Sequence, residues 1–589
     1  MASNPERDED QIRSKMVGWY DPRQLAVTAF QTVLSGLFAN RADYRLIQAL
    51  QKPPEPGDYR SKDEIWIDYV SDLGDGFNST YSVARVLADE SLPAGKDDEL
   101  PRGSVLIMGG DEVYPTPSHA AYQERLVRPY TAALAEGDTT DLLELYAVPG
   151  NHDWYDGLGS FMNLFCHGNR IGAWQTPQKR SYFALQLAHG FWLFGVDIQL
   201  QSDIDNPQID YFLSLPIKEG DRIILCTAEP DWIYGNIYEG KKNLGVLEER
   251  LHAEKKAVIV LQLAGDLHHY RRHTVVEKDG SKGDIHLVTA GGGGAFLHPT
   301  HTHDVDTIKV GTPGKLVTYA LDKETEYPSR GLSRSMGAWN LLFVFKNPWF
   351  GIATGAVYTI LSWVMPVGEL GEGPLYVAFP RMLWSGFENV VSRTGAASGL
   401  VWVVCILLAF VAFTDTHKRV YRWLAGLLHG SIHLAAALAI SATTGHLIGH
   451  EPMDPVLERL VGSLMTFVGG YFIGATIMGI YLVISVIVFR RHGNEAFSSL
   501  KIEGYKNFLR MRLNEGGLSV WAFGLEKVPG NADWVWKKGK DGRGRYDLGP
   551  NAPELRPKVI DHFVIPTKKA AAAAPKKKAA KTKPVEEVA

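Results

Sequence analysis

Between about residues 64 and 315 the chain alternates short apolar runs with polar stretches. Eight runs, at 65–70, 104–108, 143–148, 182–188, 191–196, 222–226, 257–263 and 285–289, predict strands. Helical patterns fall between several of them, at 81–88 and 117–135. Strands separated by helices predict an α/β layered domain over residues 61–335. In such sheets the functional groups gather on the loops just past strand ends.

Past residue 340 the pattern changes. The stretches 349–366, 396–414, 424–443 and 461–489 are long, apolar and almost free of charge. A bilayer core demands roughly 20 such residues, so they predict a four-helix transmembrane region within 336–491. The shorter run 375–387, broken by Pro380 and Arg381, reads as interfacial. Residues 1–60 form a helical lead-in whose run 25–38 is too short to span a bilayer. It packs on the main domain or, following Trp19 and Tyr20, lies on the membrane surface. Residues 492–566 predict a small, mainly β module, and the Lys/Ala-rich end, 567–589, cannot bury a core and is expected to be disordered.

A net charge of -5 over 589 residues excludes a general nucleic-acid binder. Basic residues are nevertheless bunched. Lys418, Arg419 and Arg422 separate the second and third predicted spans, and Arg490, Arg491, Lys501 and Lys506 follow the fourth. The remaining loops lean acidic, which places the domain and both termini in the cytoplasm. Neither a secretory signal nor paired cysteines argue otherwise, since Cys166, Cys226 and Cys405 are scattered. The basic tail suits anionic lipid headgroups. Gly351-x-x-x-Gly355 and Gly470-x-x-x-Gly474 permit close helix contact and hence a homodimer. His429 and His433, like His446 and His450, stand one turn apart within spans, as a metal or proton site or as interfacial residues.

The candidate chemistry follows the strand ends. Six predicted strands run into Ser71-Asp72-Leu73-Gly74-Asp75-Gly76, Gly109-Gly110-Asp111-Glu112, Gly150-Asn151-His152-Asp153, Thr227-Ala228-Glu229-Pro230, Gly265-Asp266-Leu267-His268 and the four glycines 291–294. A single Asp after a strand is a turn former. Carboxylates, an amide and imidazoles after six strands point to one metal site. His298, His301 and His303 follow the glycines, either reaching into that site or sitting on the surface. The glycine run either cradles an anion with its amides or serves as a flexible connection.

Asp72, Gly110-Asp111, Gly150-Asn151-His152-Asp153 and Gly265-Asp266-Leu267-His268 together resemble the ordered motif blocks of the calcineurin-like metallophosphoesterases. The resemblance covers about 64–300 and implies a two-sheet α/β sandwich carrying two divalent metal ions. It departs from the family pattern in three places. The usual Asp-x-His is replaced by Asp72-Leu73-Gly74, with Asp75 the nearest substitute. Ala228, beside Glu229, stands at a ligand histidine, and Asp266 stands at another. Oxygen donors in place of imidazoles favour Mn²⁺ or Mg²⁺ over Fe or Zn²⁺.

The resemblance implies roles. Asp111 bridges the metals; Asp72, His268 and Asp75 hold one; Asn151, Asp266 and Glu229 hold the other. His152 is the general acid and Asp153 orients its ring. Metals about 3.5–4 Å apart generate the nucleophile and clamp the phosphate. The implied function is membrane-anchored hydrolysis of a phosphomono- or phosphodiester, lipid-linked or a soluble nucleotide. The competing reading is a metal- or nucleotide-binding sensor coupled to the spans.

Overall fold

The computed structural model describes residues 13–38, 52–95, 98–198, 204–237, 244–277, 279–311, 316–365, 380–381, 384, 397–414, 418–448, 453–538 and 544–573. Most of residues 366–396, His450 and residues 574–589 of the tail lie outside them, and with them the interfacial stretch and most of the basic tail.

Two sheets stack face to face. The first carries β1 (Ile65–Val70), β2 (Val105–Met108) and β3 (Leu143–Ala147), mutually parallel. The second is built on β4 (Phe183–Gln186), β5 (Phe191–Gly195), β6 (Arg222–Cys226), β7 (Val258–Ala264), β8 (Tyr270–Val276) and β9 (Lys282–Ala290). Alternation along each strand divides the apolar side chains between two cores. Ile65, Ile67, Tyr69 and Ile107 meet Leu193, Ile224, Leu261 and Val288 between the sheets. Leu106, Met108 and Leu145 face outward against the helix Phe77–Leu87. The sequence pattern misses β8, because Tyr-Arg-Arg-His-Thr-Val-Val carries its polar groups buried and partnered: Arg272 pairs with Asp561, and His273 with the Val305 carbonyl.

The C-terminal stretch is not a module of its own. Its strands β10 (Lys506–Asn514), β11 (Gly517–Leu525) and β12 (Lys558–Pro566) complete the first sheet in the order β12-β11-β10-β1-β2-β3. β10 runs antiparallel to β1, with Leu509 opposite Tyr69 and Arg510 opposite Asp68. Phe508, Phe523 and Trp534 of this stretch are buried in the shared core, with Trp521 and Trp536 packed partly buried against it.

Among the described residues, two helices, rather than the four expected, are long and apolar enough to cross a membrane. These are α4 (Arg419–Ile448) and α5 (Pro455–Ile487), of 30 and 33 residues. Their most apolar windows are only 28% and 44% buried, whereas a soluble core helix would be mostly buried. The other two expected spans are α2 (Pro348–Val364) and α3 (Ala397–Phe413), with 17 residues each. At 1.5 Å per residue the 17 described residues of each reach about 25 Å, the short end of the roughly 17–25 residues with which a helix spans. The small residues expected to support a dimer pack α2 on α5 within the chain. A Cβ on Gly355 would stand 2.7 Å from the Phe467 carbonyl oxygen, and one on Gly474 2.8 Å from Thr354. His429 and His433 are buried, with their Nε2 atoms 3.2 Å apart and the Tyr358 hydroxyl 2.8 Å from His433 Nδ1. His446 is exposed. The N-terminal helix α1 (Pro22–Phe38) exposes Leu25, Val27 and Phe30.

A buried ion pair locks β10 to β1. Arg510 donates from Nε and Nη2 to the two Asp68 oxygens at 2.7 and 2.9 Å, and from Nη1 to the Leu100 carbonyl at 3.0 Å. Removing one partner strands a charge in the dry interior, so Arg510→Met should destabilise the protein by about 3–5 kcal/mol. Arg510→Met combined with Asp68→Leu should recover most of that loss. Denaturant unfolding of the full chain in detergent checks both.

Candidate metal centre

The aspartates that follow β1, β2 and β7 share one backbone feature. Asp72, Asp111 and Asp266 have φ of 61°, 53° and 64°, the left-handed region that non-glycine residues enter at a cost of about 1–3 kcal/mol. Aspartate tolerates it better than most. Three strained aspartates at neighbouring strand ends mark a site whose geometry is held by its surroundings. Close packing also explains the glycine of Gly265-Asp266: a Cβ there would lie 1.9 Å from Ser71 Oγ and 2.3 Å from Asp72 Oδ2.

The hub of the site is a residue that the motifs do not mark. The Tyr114 hydroxyl lies 3.1 Å from Asp72 Oδ1, 3.2 Å from Asp111 Oδ2 and 3.1 Å from His268 Nε2. His268 Nδ1 donates to the Phe296 carbonyl at 2.7 Å, which leaves Nε2 as an acceptor. Three acceptors therefore surround a phenol with one proton to give. Asp72 also accepts the Asp266 N–H on both oxygens (3.1 and 2.9 Å), and Asp111 Oδ1 accepts the His152 N–H at 2.9 Å.

Electrostatics follow from this crowding. Burial pushes Asp72 up to about 7, against the pull of its hydrogen bonds from Ser71 and Tyr114. Asp111 is raised by burial and then by the charges of Asp72 and Asp153. Burial holds His268 down at about 3. Lys506, on β10, is a buried cation whose field reaches this group. It donates to the Ala295 carbonyl, and its field favours the charged forms of Asp72 and Asp75. Burial lowers Lys506 itself to about 8. One amine does not balance this many carboxylates in a dry site, and the deficit of positive charge is what a divalent cation supplies.

The expected site residues divide. Asp72, Asp111 and His268 converge on Tyr114, while Asn151, His152 and Asp266 line one cavity with Asp111 and His268. Asp75 is committed elsewhere, since its oxygens accept the Val17 and Phe296 N–H groups at 2.9 and 3.1 Å. Glu229 is half-buried and is not among the residues lining the cavity. Asp153 does not orient His152. It accepts from Gly150 N–H (2.8 Å), Glu112 N–H (3.3 Å) and the Tyr122 hydroxyl, whereas His152 Nδ1 donates to the Pro115 carbonyl at 2.7 Å. Burial lowers His152 to about 4 even though its edge opens on the cavity, so the free ring is neutral at pH 7.

The glycine run neither cradles an anion nor acts as a loose connection. Gly293 N–H donates to the Ser71 carbonyl at 2.8 Å, and a Cβ on Gly291 would stand 2.5 Å from Asp72 Oδ2. His298 stacks on His268 with ring centroids 3.8 Å apart, lines the cavity, and has no hydrogen-bond partner at Nε2 among the described residues. His301 turns away to Ser333.

These residues fit one cation better than two. Asp72, Asp111 and His268 offer two carboxylates and a correctly protonated imidazole around one point, the arrangement in which a carbonyl orients a ligating histidine. Among the described residues, however, no three His, Cys, Asp or Glu side chains are drawn together tightly enough to hold a metal ion unaided. The Tyr114 hydroxyl stands at the apex and must withdraw or join the donors. Around the second position Ala228 offers no donor, and Asn151, Asp266 and His298 are what remains.

Residues 65–270 match the model of the calcineurin-like phosphoesterases. Among solved structures it is similar to GAP50, the anchor in the inner membrane complex of Plasmodium, at 13% identity over 44% of this chain and 84% of that one, with a TM-score of 0.29. It is also similar to PhoD, at 12% identity over 42% and 60%, with a TM-score of 0.26. No curated protein matches the chain.

Gly291→Ala should force the Asp72 carboxylate aside and destabilise the protein by about 1–3 kcal/mol, the usual cost of overpacking. Gly331→Ala, in the helix Arg330–Gly337 with nothing within 4 Å of the added methyl, should instead stabilise it by up to about 1 kcal/mol. Thermal unfolding of the two variants tests the contrast.

Proposed function

We propose that the chain is a membrane-anchored phosphoesterase that depends on a divalent cation, Mn²⁺ first, bound by Asp72, Asp111 and His268. The observation that carries this reading is the convergence of those three side chains on the Tyr114 hydroxyl, beneath a cavity that His152 also lines. A bound cation lowers the pKa of water and neutralises phosphoryl charge. His152 contributes the proton. The Pro115 carbonyl holds Nδ1–H, so Nε2 is the atom that gains a proton when an anionic phosphate arrives and gives it to the leaving oxygen. Asn151, Asp266 and His298 border the second cation position, where the imidazole of His298 compensates for Ala228.

Anchoring rests on α4 and α5. Arg419 and Arg422 open α4, and Arg490 and Arg491 follow α5, so the basic ends share one side with the domain. That side is the cytoplasm by the excess of positive charge.

A second reading is a sensor that binds without turnover. It is favoured by the tyrosine hydroxyl at the apex of the donors and by the missing donor at Ala228. The two readings part on one measurement. With Mn²⁺ and p-nitrophenyl phosphate or its bis ester, wild type should turn over, His152→Ala should lose about 10²–10⁴-fold in rate, and Asp111→Asn should retain less manganese by elemental analysis. Metal retention without turnover of either ester supports the sensor.

A further inference from the structure

The cavity above the metal centre has a second end. It measures about 550 Å³, within the range of small-molecule sites. At one end stand Asp111, His152 and His268. At the other stand Phe350 of α2, Phe410 and Phe413 of α3 and Met478 of α5, all from the helical region. Trp19 and Tyr20 form the wall between the two ends. Trp19 packs edge-on against His152, with centroids 5.8 Å apart, and Tyr20 against Phe350 at 5.6 Å. Leu25 and Thr28 of α1 lie on the cavity wall, and this helix exposes Leu25, Val27 and Phe30.

We infer that this cavity takes a phosphoester bearing a hydrocarbon tail, with its phosphate at Asp111 and His268 and its tail against Phe350, Phe410, Phe413 and Met478. The inference rests on the phosphoesterase reading for its polar end only. A soluble phosphoester gains nothing from an aromatic and aliphatic arm, and burying such an arm against a tail is worth roughly 25 cal/mol per Å². A nucleotide or other polyanion fits poorly. The wall carries the carboxylates Asp266 and Glu495, and no lysine or arginine among the described residues. The volume suits a headgroup and the first part of a tail. The remainder leaves past Leu25 of α1, which lines the cavity and is exposed. A substrate of this shape enters from the membrane and needs no excursion through water.

The test compares two ligands with the same phosphate: dihexanoyl phosphatidate, soluble as a monomer, and glycerol 3-phosphate. Binding to the full chain in detergent is read by native mass spectrometry, and phosphate release is read with Mn²⁺. Dihexanoyl phosphatidate should bind at least tenfold more tightly. Ala409→Trp, which fills the apolar arm, and Leu25→Glu, which charges the wall at α1, should each cut that ratio at least fivefold. Equal binding of the two ligands, or a ratio indifferent to both variants, overturns the inference. Preferential binding without phosphate release, together with no turnover of bis-p-nitrophenyl phosphate, keeps the inference and removes the phosphoesterase reading. Release from both esters at equal rates and equal affinity does the reverse.

Discussion

The structure depends on the pairing of β10 with β1. One strand is made early in the chain and the other after every helix of the apolar region, yet the two lie side by side with Arg510 clamped on Asp68. The helical residues 348–487 between them are thereby an excursion that leaves the domain after its second sheet and returns to its first. α2 to α5 must stand beside the two-sheet domain, because both ends of the excursion are anchored in its sheets. The same pairing delivers Lys506 to the neighbourhood of Asp72 and Asp75. Without the return strand the carboxylates would lose this buried cation along with three strands of sheet.

A second constraint is the balance of charge at the strand ends. Aspartates gathered by left-handed turns and shielded by Tyr114, Trp19 and Phe296 resist ionising together, and the hydroxyl at their centre has one proton for three acceptors. A site built this way relieves its charge by taking up protons or by sharing a positive group. Its lining then changes abruptly from oxygen donors to aromatic rings at Trp19 and Tyr20. Polar and apolar functions are thus separated within one cavity, and the helical excursion supplies the apolar half.

Local signals made part of this legible in the sequence. Ile65–Val70 and Arg222–Cys226 read directly as strands because their apolar runs are bounded by polar turns. The strand-end motifs Asp72, Gly110-Asp111, Gly150-Asn151-His152 and Gly265-Asp266-Leu267-His268 read as a set because chemistry at a sheet edge requires side chains at successive strand ends. Long-range signals did not survive the reading. Tyr114 is an ordinary aromatic two residues past a carboxylate, and only the folded loop turns its hydroxyl onto residues 42 and 154 positions away. Lys506 looked like a charge flanking a membrane helix, since nothing local says that its strand pairs with residue 65 onward. Asp75 and Asp153 looked like functional carboxylates, but backbone amides and Tyr122 had the stronger claim on them.

The divided sheet also sets an order of events during synthesis. β1, β2 and β3 leave the ribosome with one flank unpaired, and they remain so while the helical residues 348–487 are made. Completion waits for residues 506–566, so the donors around Tyr114 cannot be fully enclosed until the helical region has already emerged. Maturation of the site is therefore timed by passage of the apolar segment. A chain interrupted after α5 would possess every motif residue and still lack the closing flank that gives those residues their buried setting.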